Sequence, residues 1–475
     1  MTEAESGRPF QPHMSWQGVR VTVVGLAREG TAVARFLAAR GAEVTATDMK
    51  PAEALAGALS MLRSFPIRYA LGGHPDWVLD TDIIFVSPGV PRTIPLLVEA
   101  VRRGIRLSSE TELFFSLCPA PIIGITGSSG KTTTTTLVGE ILKTAGERTW
   151  VGGNIGDPLL NYLDEIGPHD RVVMELSSFQ LEHLRVSPHI AAILNITPNH
   201  LDRHESMEAY INAKRQIVAH QGAGDTAVFG WDDPAARRLG EGYSAGRAMW
   251  FSAAEPRRPG AWAEQGAVLL EVVGPAQRVC GLEDIRLRGA HNLLNVLAAC
   301  AIAGAAGAPA DAMRAAISSF QGVPHRLELV REWNGVQFVN DSIATSPERS
   351  MAALRSFDEP IILLAGGRDK HLPWEEWADL VLRRARGVIL FGEAAGLIER
   401  ALQRAFERAA ESGCRCRLSP ENVRPAVTLE RAVQIASEMA EPGDVVLLSP
   451  GGTSYDAYTD FVERGEHFRK LVKML

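Results

Sequence analysis

The stretch PIIGITGSSGKTTTTTL, Pro121 to Leu137, constrains this chain more than any other part of it. An apolar run leads into a loop of glycine and serine, then Lys131-Thr132 and a helix-length segment. Small residues let successive backbone N–H groups face an anion, and a following helix adds its positive end. The pattern departs from GxxxxGK[ST], because position 125 is Ile; Gly124, Gly127 and Gly130 are the glycines present. The physics survives the altered spacing. Lys131 can neutralise β- and γ-phosphates, and the Thr132 hydroxyl can ligate Mg²⁺. Thr132 to Thr136 are poor helix formers, since β-branched residues lose rotamer freedom there, so an ordinary surface helix is a poor description of them. Nucleotide binding is the expected role, against a plain Gly/Ser-rich turn.

A phosphate loop needs a carboxylate for its metal ion, often at the end of a neighbouring strand. In RVVMELSSFQLE, Glu175 follows an apolar run and precedes Ser177-Ser178, where that strand should stop. The next strand ends in NITPNHLDRH, which crowds His200, Asp202, Arg203 and His204 into one loop. Ligands gather at the carboxyl ends of parallel strands, so loops of this kind on one sheet edge read as a site.

The remainder of the chain sets limits. Its 475 residues suggest about three domains, and 46% hydrophobic with 22% charged residues is ordinary globular composition. A net charge of -7 argues against a nucleic-acid partner, which would call for a basic surface. Five scattered cysteines form neither a disulfide framework nor a zinc site; Cys414 and Cys416 supply only two ligands. The N-terminus lacks an apolar signal region, and the uncharged run Val296 to Pro309 is shorter than the roughly 18 residues of a membrane span. A cytoplasmic protein without membrane insertion is expected.

Three blocks follow from the pattern of strands and helices. Residues 1–118 alternate strands such as RVTVVGL and AEVTATD with a helix from Thr31 to Arg40, which implies a parallel sheet. GxGxxG is absent there, and Gly25 to Gly30 alone reads as a helix-capping turn. Residues 119–322 hold the phosphate loop and an Ala-rich helix near Asn292 to Ala306. Residues 323–475 hold GVQFVN, PIILLAG, GVILFG and DVVLLSP, again alternating with helices.

Taken in order, the motifs resemble the Mur ligases, ATP-dependent enzymes that build the peptidoglycan stem peptide. TGSSGKTTT resembles their phosphate loop, VGGNIG their Asn-bearing loop and NITPNHLDRH their metal-loop segment. AYINAKRQI is similar to the helix of their carbamylated lysine, and GAHNLLNVLAA to their adenine-contacting helix. PHRLE and NDSIATSPE resemble the opening of their C-terminal domain, and ELSSFQLE resembles the glutamate-adding branch. The resemblance runs from about residue 16 over the whole chain.

It implies three α/β domains: a Rossmann-like UDP-binding domain, a central P-loop ATPase domain with a parallel sheet, and a C-terminal Rossmann-like domain. It implies ATP and two Mg²⁺ ions as cofactors, a monomer, and UDP-N-acetylmuramoyl-L-alanine and glutamate as substrates. Gly127, Ser128, Ser129, Gly130, Lys131, Thr132 and Thr133 would hold the phosphates, with Asn292, Asn295, Arg326 and Asp341 on the rest of ATP. Thr132 and Glu175 would hold one Mg²⁺, and His200 with a carbamate on Lys214 the second; Lys131, Glu175, His200 and Lys214 carry the catalysis. Lys214 stands one turn after Tyr210 on the same helix face. The UDP-substrate would meet Leu26, Ala27, Arg28, Asp48, Met49, Lys50, Ser87, Gly89, Asn154, Ser177 and His200, which reverses the bland reading of Gly25 to Gly30. Glutamate would meet Thr345, Lys370, Ser454, Tyr455 and Phe461.

Two departures qualify the match. Many members read NDSKAT where this chain has Ile343, which leaves L-glutamate open beside the expected D-isomer. The spacing from His200 to Lys214 is also about one residue short of the family pattern, as a loop deletion would make it. A P-loop kinase or GTPase would share Lys131 and Thr132 but not the third-block motifs. A folylpolyglutamate synthetase has no reason to carry the first block, and a non-catalytic UDP-sugar-binding module none to keep Glu175, His200 and Lys214.

Overall fold

Twenty strands form three sheets in the computed structural model, which describes residues 10, 14–198, 203–413 and 416–475. The chain divides into two compact units. One runs to Ile285 and resumes over His291–Ser319; the other comprises Arg286–Ala290 and Phe320–Leu475. Arg286–Ala290 falls inside the block 119–322 of the sequence reading but packs with the second unit, where Arg288 donates to Glu359 at 2.5 Å and to Gln337 at 2.8 Å.

The first sheet contains β1 (Arg20–Val24), β2 (Glu43–Asp48), β3 (Arg68–Leu71), β4 (Ile83–Val86) and β5 (Arg106–Ser108). All are parallel, in the order β3-β2-β1-β4-β5. Strand order reverses between β1 and β4, so the loops after them diverge and leave a crevice at their carboxyl ends. The helix Arg28–Ala38 starts immediately after β1. A Cβ on Gly30 would lie 1.9 Å from the Gly25 carbonyl oxygen, so close helix–strand packing demands glycine there.

The second sheet contains β6 (Ile122–Thr126), β7 (Thr149–Gly153), β8 (Arg171–Glu175), β9 (Ile190–Ile193), β10 (Thr226–Gly230), β11 (Arg247–Ser252), β12 (Gly260–Glu264), β13 (Ala267–Glu271) and β14 (Gln277–Gly281). Its order is β14-β13-β12-β11-β10-β9-β6-β8-β7. From β7 across to β12 the pairing is parallel, and the central strands β6, β8, β9 and β10 are almost wholly buried, as strands of a parallel sheet covered on both faces are. The sequence reading of a parallel sheet needs one correction: β12, β13 and β14 form an antiparallel meander at one edge. Its first turn is Gln265-Gly266, both at positive φ (49° and 76°), the geometry of a tight hairpin.

The third sheet contains β15 (Glu328–Trp333), β16 (Val336–Asn340), β17 (Ile361–Gly366), β18 (Ala385–Phe391), β19 (Val423–Pro425) and β20 (Val445–Gly451). Its order is β15-β16-β20-β17-β18-β19, parallel except for the β15–β16 hairpin across Asn334-Gly335. Apolar clusters lie on both faces, one built on Leu363 and Trp377, the other on Leu364 and Phe468. Among the described residues no helix is long and apolar enough to cross a membrane.

Candidate active site

The phosphate loop joins β6 to the helix Lys131–Thr144. Gly130 precedes that helix at φ +79°, and a Cβ on it would meet Asn295 Oδ1 at 2.2 Å. Only glycine fits both demands. Thr133, Thr134 and Thr135 are buried, so packing offsets their weak helix propensity. Lys131 Nζ donates to the Gly127 carbonyl at 3.0 Å, curled over its own loop.

Asn195 braces this loop, a role the sequence reading missed. Its side-chain oxygen accepts from the Ser129 N–H at 2.9 Å and its backbone oxygen from the Ser128 N–H at 3.0 Å. Ser128 Oγ in turn donates to the Thr197 carbonyl at 2.9 Å. Asn295 and Asn292, both buried, bond to each other at 2.9 Å beside Gly130.

Glu175 ends β8 and is 2% exposed. Thr132 Oγ1 donates to its Oε2 at 2.7 Å, and Asn154 Nδ2 to its Oε1 at 2.9 Å. Among the described residues this buried carboxylate has no ion-pair partner, which fits a site that takes a cation. The hard oxygens of Thr132 and Glu175 suit Mg²⁺, an ion that keeps few protein ligands and fills its shell with water and phosphate oxygens. No group of three or more His, Cys, Asp or Glu among the described residues could hold a metal by itself.

Lys214 is 1% exposed on the helix Met207–Ala219. Its Nζ donates to the Gly127 carbonyl at 3.0 Å and sits 4.7 Å from the Tyr210 ring centre, as the one-turn spacing implied. Tyr210 Oη reaches Ser128 Oγ at 3.1 Å. Burial, reinforced by the charge of Lys131, holds the Lys214 amine well below the usual lysine value, against the pull of Glu175. A neutral amine is the form that can react with CO₂. His200 and Asp202 lie outside the described residues. His204 Nε2 pairs with Ser178 Oγ at 3.0 Å and its ring stacks on Phe179, while Arg203 lies over the Phe179 ring at 5.2 Å.

In the first sheet, the residues assigned to the UDP-substrate gather at the crevice between β1 and β4. Asp48 accepts from the Leu26 N–H at 2.7 Å and the Lys50 N–H at 2.9 Å, and Ser87 Oγ donates to the Gly25 carbonyl at 2.8 Å. Ala27 and Gly89 stand nearby in those loops, and Met49 is exposed. Arg28 donates to the Gly156 carbonyl at 2.6 Å, close in sequence to Asn154. Ser177 forms a capping box with Gln180, whose Nε2 donates to Glu29 at 2.9 Å.

Glu29 shares a small pocket with Glu110, which the sequence reading passed over. Desolvation pushes Glu29 up to about 7, against Arg28 and Gln180; desolvation and the charge of Glu29 push Glu110 up to about 8. The folded protein therefore holds these protons more tightly than the unfolded chain. Stability from this source is fully present below the ordinary value of 4.5 and is lost as pH rises through 7 to 8. Glu110→Gln should flatten the fall in Tm between about pH 6 and about pH 9, by about 2 °C or more. A wild-type slope in thermal unfolding would contradict the assignment.

In the second unit, three loops meet. Lys370 Nζ donates to Thr345 Oγ1 at 3.3 Å, joining the loops after β17 and β16. Arg368 and Thr453 exchange backbone hydrogen bonds at 2.9 and 2.8 Å, joining the loop after β20, where Ser454 is buried and Tyr455 is exposed. Arg464, fully buried, was also missed. It donates to the Ser342 hydroxyl and carbonyl at 3.0 and 2.8 Å and to the Gly452 and Thr453 carbonyls at 3.2 and 3.1 Å. Burial lowers it to about 10. Phe461 contributes its carbonyl to Ser342 Oγ at 2.8 Å. Asp341 accepts from Ser449 Oγ at 3.0 Å and the Leu327 N–H at 3.2 Å; burial pushes it up to about 7 against the pull of Arg326.

Fold and site define a P-loop nucleotide enzyme built from α/β domains. Residues 19–109 match the Mur ligase MurD-like N-terminal domain, 125–303 the Mur ligase middle domain and 325–452 the Mur ligase glutamate ligase domain. The chain is 43% identical over 458 residues to the UDP-N-acetylmuramoylalanine–D-glutamate ligase of Symbiobacterium thermophilum, covering 96% of this chain and 98% of that one. It is 42% identical to the enzyme of that name from a Roseiflexus species, covering 97% and 99%. Among solved structures, the UDP-N-acetylmuramate-alanine ligase of Thermotoga maritima shares the fold, with TM-score 0.57 at 18% identity over 96% of this chain and 99% of that one. The chain belongs to the Mur ligase family.

Proposed function

We propose that this Mur ligase adds D-glutamate to UDP-N-acetylmuramoyl-L-alanine in peptidoglycan precursor synthesis, a step of cell-wall biogenesis. It is an ATP-dependent amide-forming ligase that releases ADP and phosphate. The names of the relatives support the D-isomer over the L-isomer that Ile343 left open. The observation that carries the reading is the grouping of Lys131, Thr132, Glu175 and Lys214 around one phosphate loop.

An alanine carboxylate oxygen attacks the γ-phosphorus of ATP, and ADP leaves. The glutamate amine then attacks the acyl phosphate carbon, loses a proton, and expels phosphate. Gly127 to Thr133 would cradle the phosphates through backbone N–H groups, with Lys131 balancing charge on the transferring group. Thr132 and Glu175 would hold one Mg²⁺, which when bound offsets phosphate charge. His200 and a carbamate on Lys214 would hold a second; the amine nitrogen bonds the carbon of CO₂ and releases a proton. Asn292, Asn295, Arg326 and Asp341 are assigned to ATP. Leu26, Ala27, Arg28, Asp48, Met49, Lys50, Ser87, Gly89, Asn154, Ser177 and His200 are assigned to the UDP-substrate. Thr345, Lys370, Ser454, Tyr455 and Phe461 are assigned to glutamate. The domains implied are 1–118, 119–322 and 323–475, in a cytoplasmic monomer.

Phosphate release by the purified protein tests the reading. It should require ATP, the UDP-substrate and D-glutamate together. Release without the UDP-substrate, or equal release with L-glutamate, would count against it. Lys370→Ala should raise the D-glutamate KM about tenfold or more, since a hydrogen bond to a charged group contributes about 1.5–3 kcal/mol. The KM of the UDP-substrate should stay nearly constant; equal increases in both would remove Lys370 from the glutamate site.

A further inference from the structure

Lys370 is not the only cation at the loop after β16. Arg349 stands in the first turn of the helix Pro347–Leu354, with its side chain exposed to solvent. Its guanidinium NH1 donates to the Ile343 carbonyl at 3.4 Å, two residues from the Thr345 hydroxyl that Lys370 touches at 3.3 Å. Two side chains from different elements thus end on one three-residue stretch.

Their electrostatic situation sets them apart from nearby arginines. Arg368 is paired with Glu393 at 2.7 Å and Arg469 with Glu328 at 2.7 Å. Among the described residues neither Arg349 nor Lys370 has a carboxylate within ion-pair distance. Burial and then the charges of Arg349 and Arg464 hold Lys370 below the usual lysine value, so the positive groups act on one another. Asp341, on which Arg349 exerts a pull, is buried and its carboxyl is held up to about 7. Like charges gathered without a counter-ion repel, and a bound anion relieves that repulsion. Arg464 spends its donors on carbonyls and one hydroxyl, so its fork is not open to a ligand. Arg349 engages only one carbonyl, and its remaining donors are free for a planar, two-oxygen partner. Ile343 offers no side-chain donor of its own.

We propose that Arg349 is the second carboxylate-binding cation of the amino-acid site, so that Lys370 with Thr345 takes one carboxylate of glutamate and Arg349 takes the other. This rests on the ligase reading above. It makes Arg349 a specificity-determining residue: a dicarboxylate would meet both cations, whereas a mono-amide would leave one of them without a charged partner. Lysine at the same position would keep the charge but lose the bidentate geometry.

The test measures phosphate release by wild type, Arg349→Ala, Arg349→Lys and Lys370→Ala with D-glutamate, D-glutamine and D-isoglutamine. Thermal unfolding of each variant checks that it is folded. Arg349→Ala should raise the glutamate KM about tenfold or more, with the ATP and UDP-substrate KM values within about threefold. It should also erase the preference for glutamate over one of the two amides, and Lys370→Ala should erase it over the other. Arg349→Lys should fall between wild type and alanine. A glutamate KM within about threefold of wild type in folded Arg349→Ala overturns the proposal, and so does a raised KM with discrimination against both amides intact. A wild-type protein that releases no phosphate with D-glutamate overturns the ligase reading itself, a separate outcome.

Discussion

Lys131→Ala should fall about 100- to 1,000-fold in kcat while the protein stays folded. The reason is the placement of the charge. Lys131 opens the helix that follows the loop, and its Nζ rests on the Gly127 carbonyl at 3.0 Å, already aimed back over the space the loop encloses. A preorganised donor at a developing charge contributes about 3–4 kcal/mol to the transition state, because no solvent must reorganise as charge moves. The loop itself should survive the substitution. Its shape is held by Asn195 on Ser128 and Ser129 and by Gly130 against Asn295, none of which involves the lysine side chain. Steady-state kinetics with thermal unfolding as control decide the matter. A folded variant that keeps more than about a tenth of wild-type kcat would remove Lys131 from the phosphoryl-transfer step.

Lys214→Ala should be inactive, and a short carboxylic acid such as acetate should restore part of the activity. The amine is 1% exposed, and an ammonium left there would be costly to bury. Its depressed value favours the neutral nitrogen that attack on CO₂ requires, and the proposed carbamate would offer oxygen, the donor type Mg²⁺ prefers. Alanine leaves a space beside Thr126 and Gly127 in which acetate can present a carboxylate in place of the carbamate. The mass of the intact active protein gives an independent check. An active enzyme whose Lys214 carries no CO₂ adduct would contradict the assignment.

Much of this was legible because anion binding imposes local rules. A cradle of backbone N–H groups needs small residues, a following helix and a cation, all within the contiguous run Gly127 to Thr132. Strands flanked by helices announced the parallel sheets in the same way. The run Thr132 to Thr136 looked odd for a surface helix because it is largely an interior one. What stayed hidden depends on pairs distant in sequence. Asn195 meets Ser129 across 66 positions, and only the β6–β9 pairing brings them together. Arg464 sits in FVERGEHF, where nothing local marks it, and it is buried because the loops after β16 and β20 take up its donors. Gly25 to Gly30 lacked the full glycine pattern and read as a capping turn, although the positive φ of Gly25 (91°) and the close contact at Gly30 explain the two glycines. The β12–β13 hairpin that opens the meander escaped notice because Gln265 takes the left-handed conformation more often supplied by Asn or Asp.

The central claim is that ATP activates the alanine carboxylate as an acyl phosphate before glutamate attacks. Oxygen tracing addresses it directly. UDP-N-acetylmuramoyl-L-alanine labelled with heavy oxygen in its terminal carboxylate is turned over with ATP and D-glutamate, and the released phosphate is weighed by mass spectrometry. Each phosphate should carry one labelled oxygen, since the attacking carboxylate oxygen leaves with phosphorus when the amide forms. Phosphate free of label, with both heavy oxygens still in unreacted substrate or one lost to water, would contradict the account.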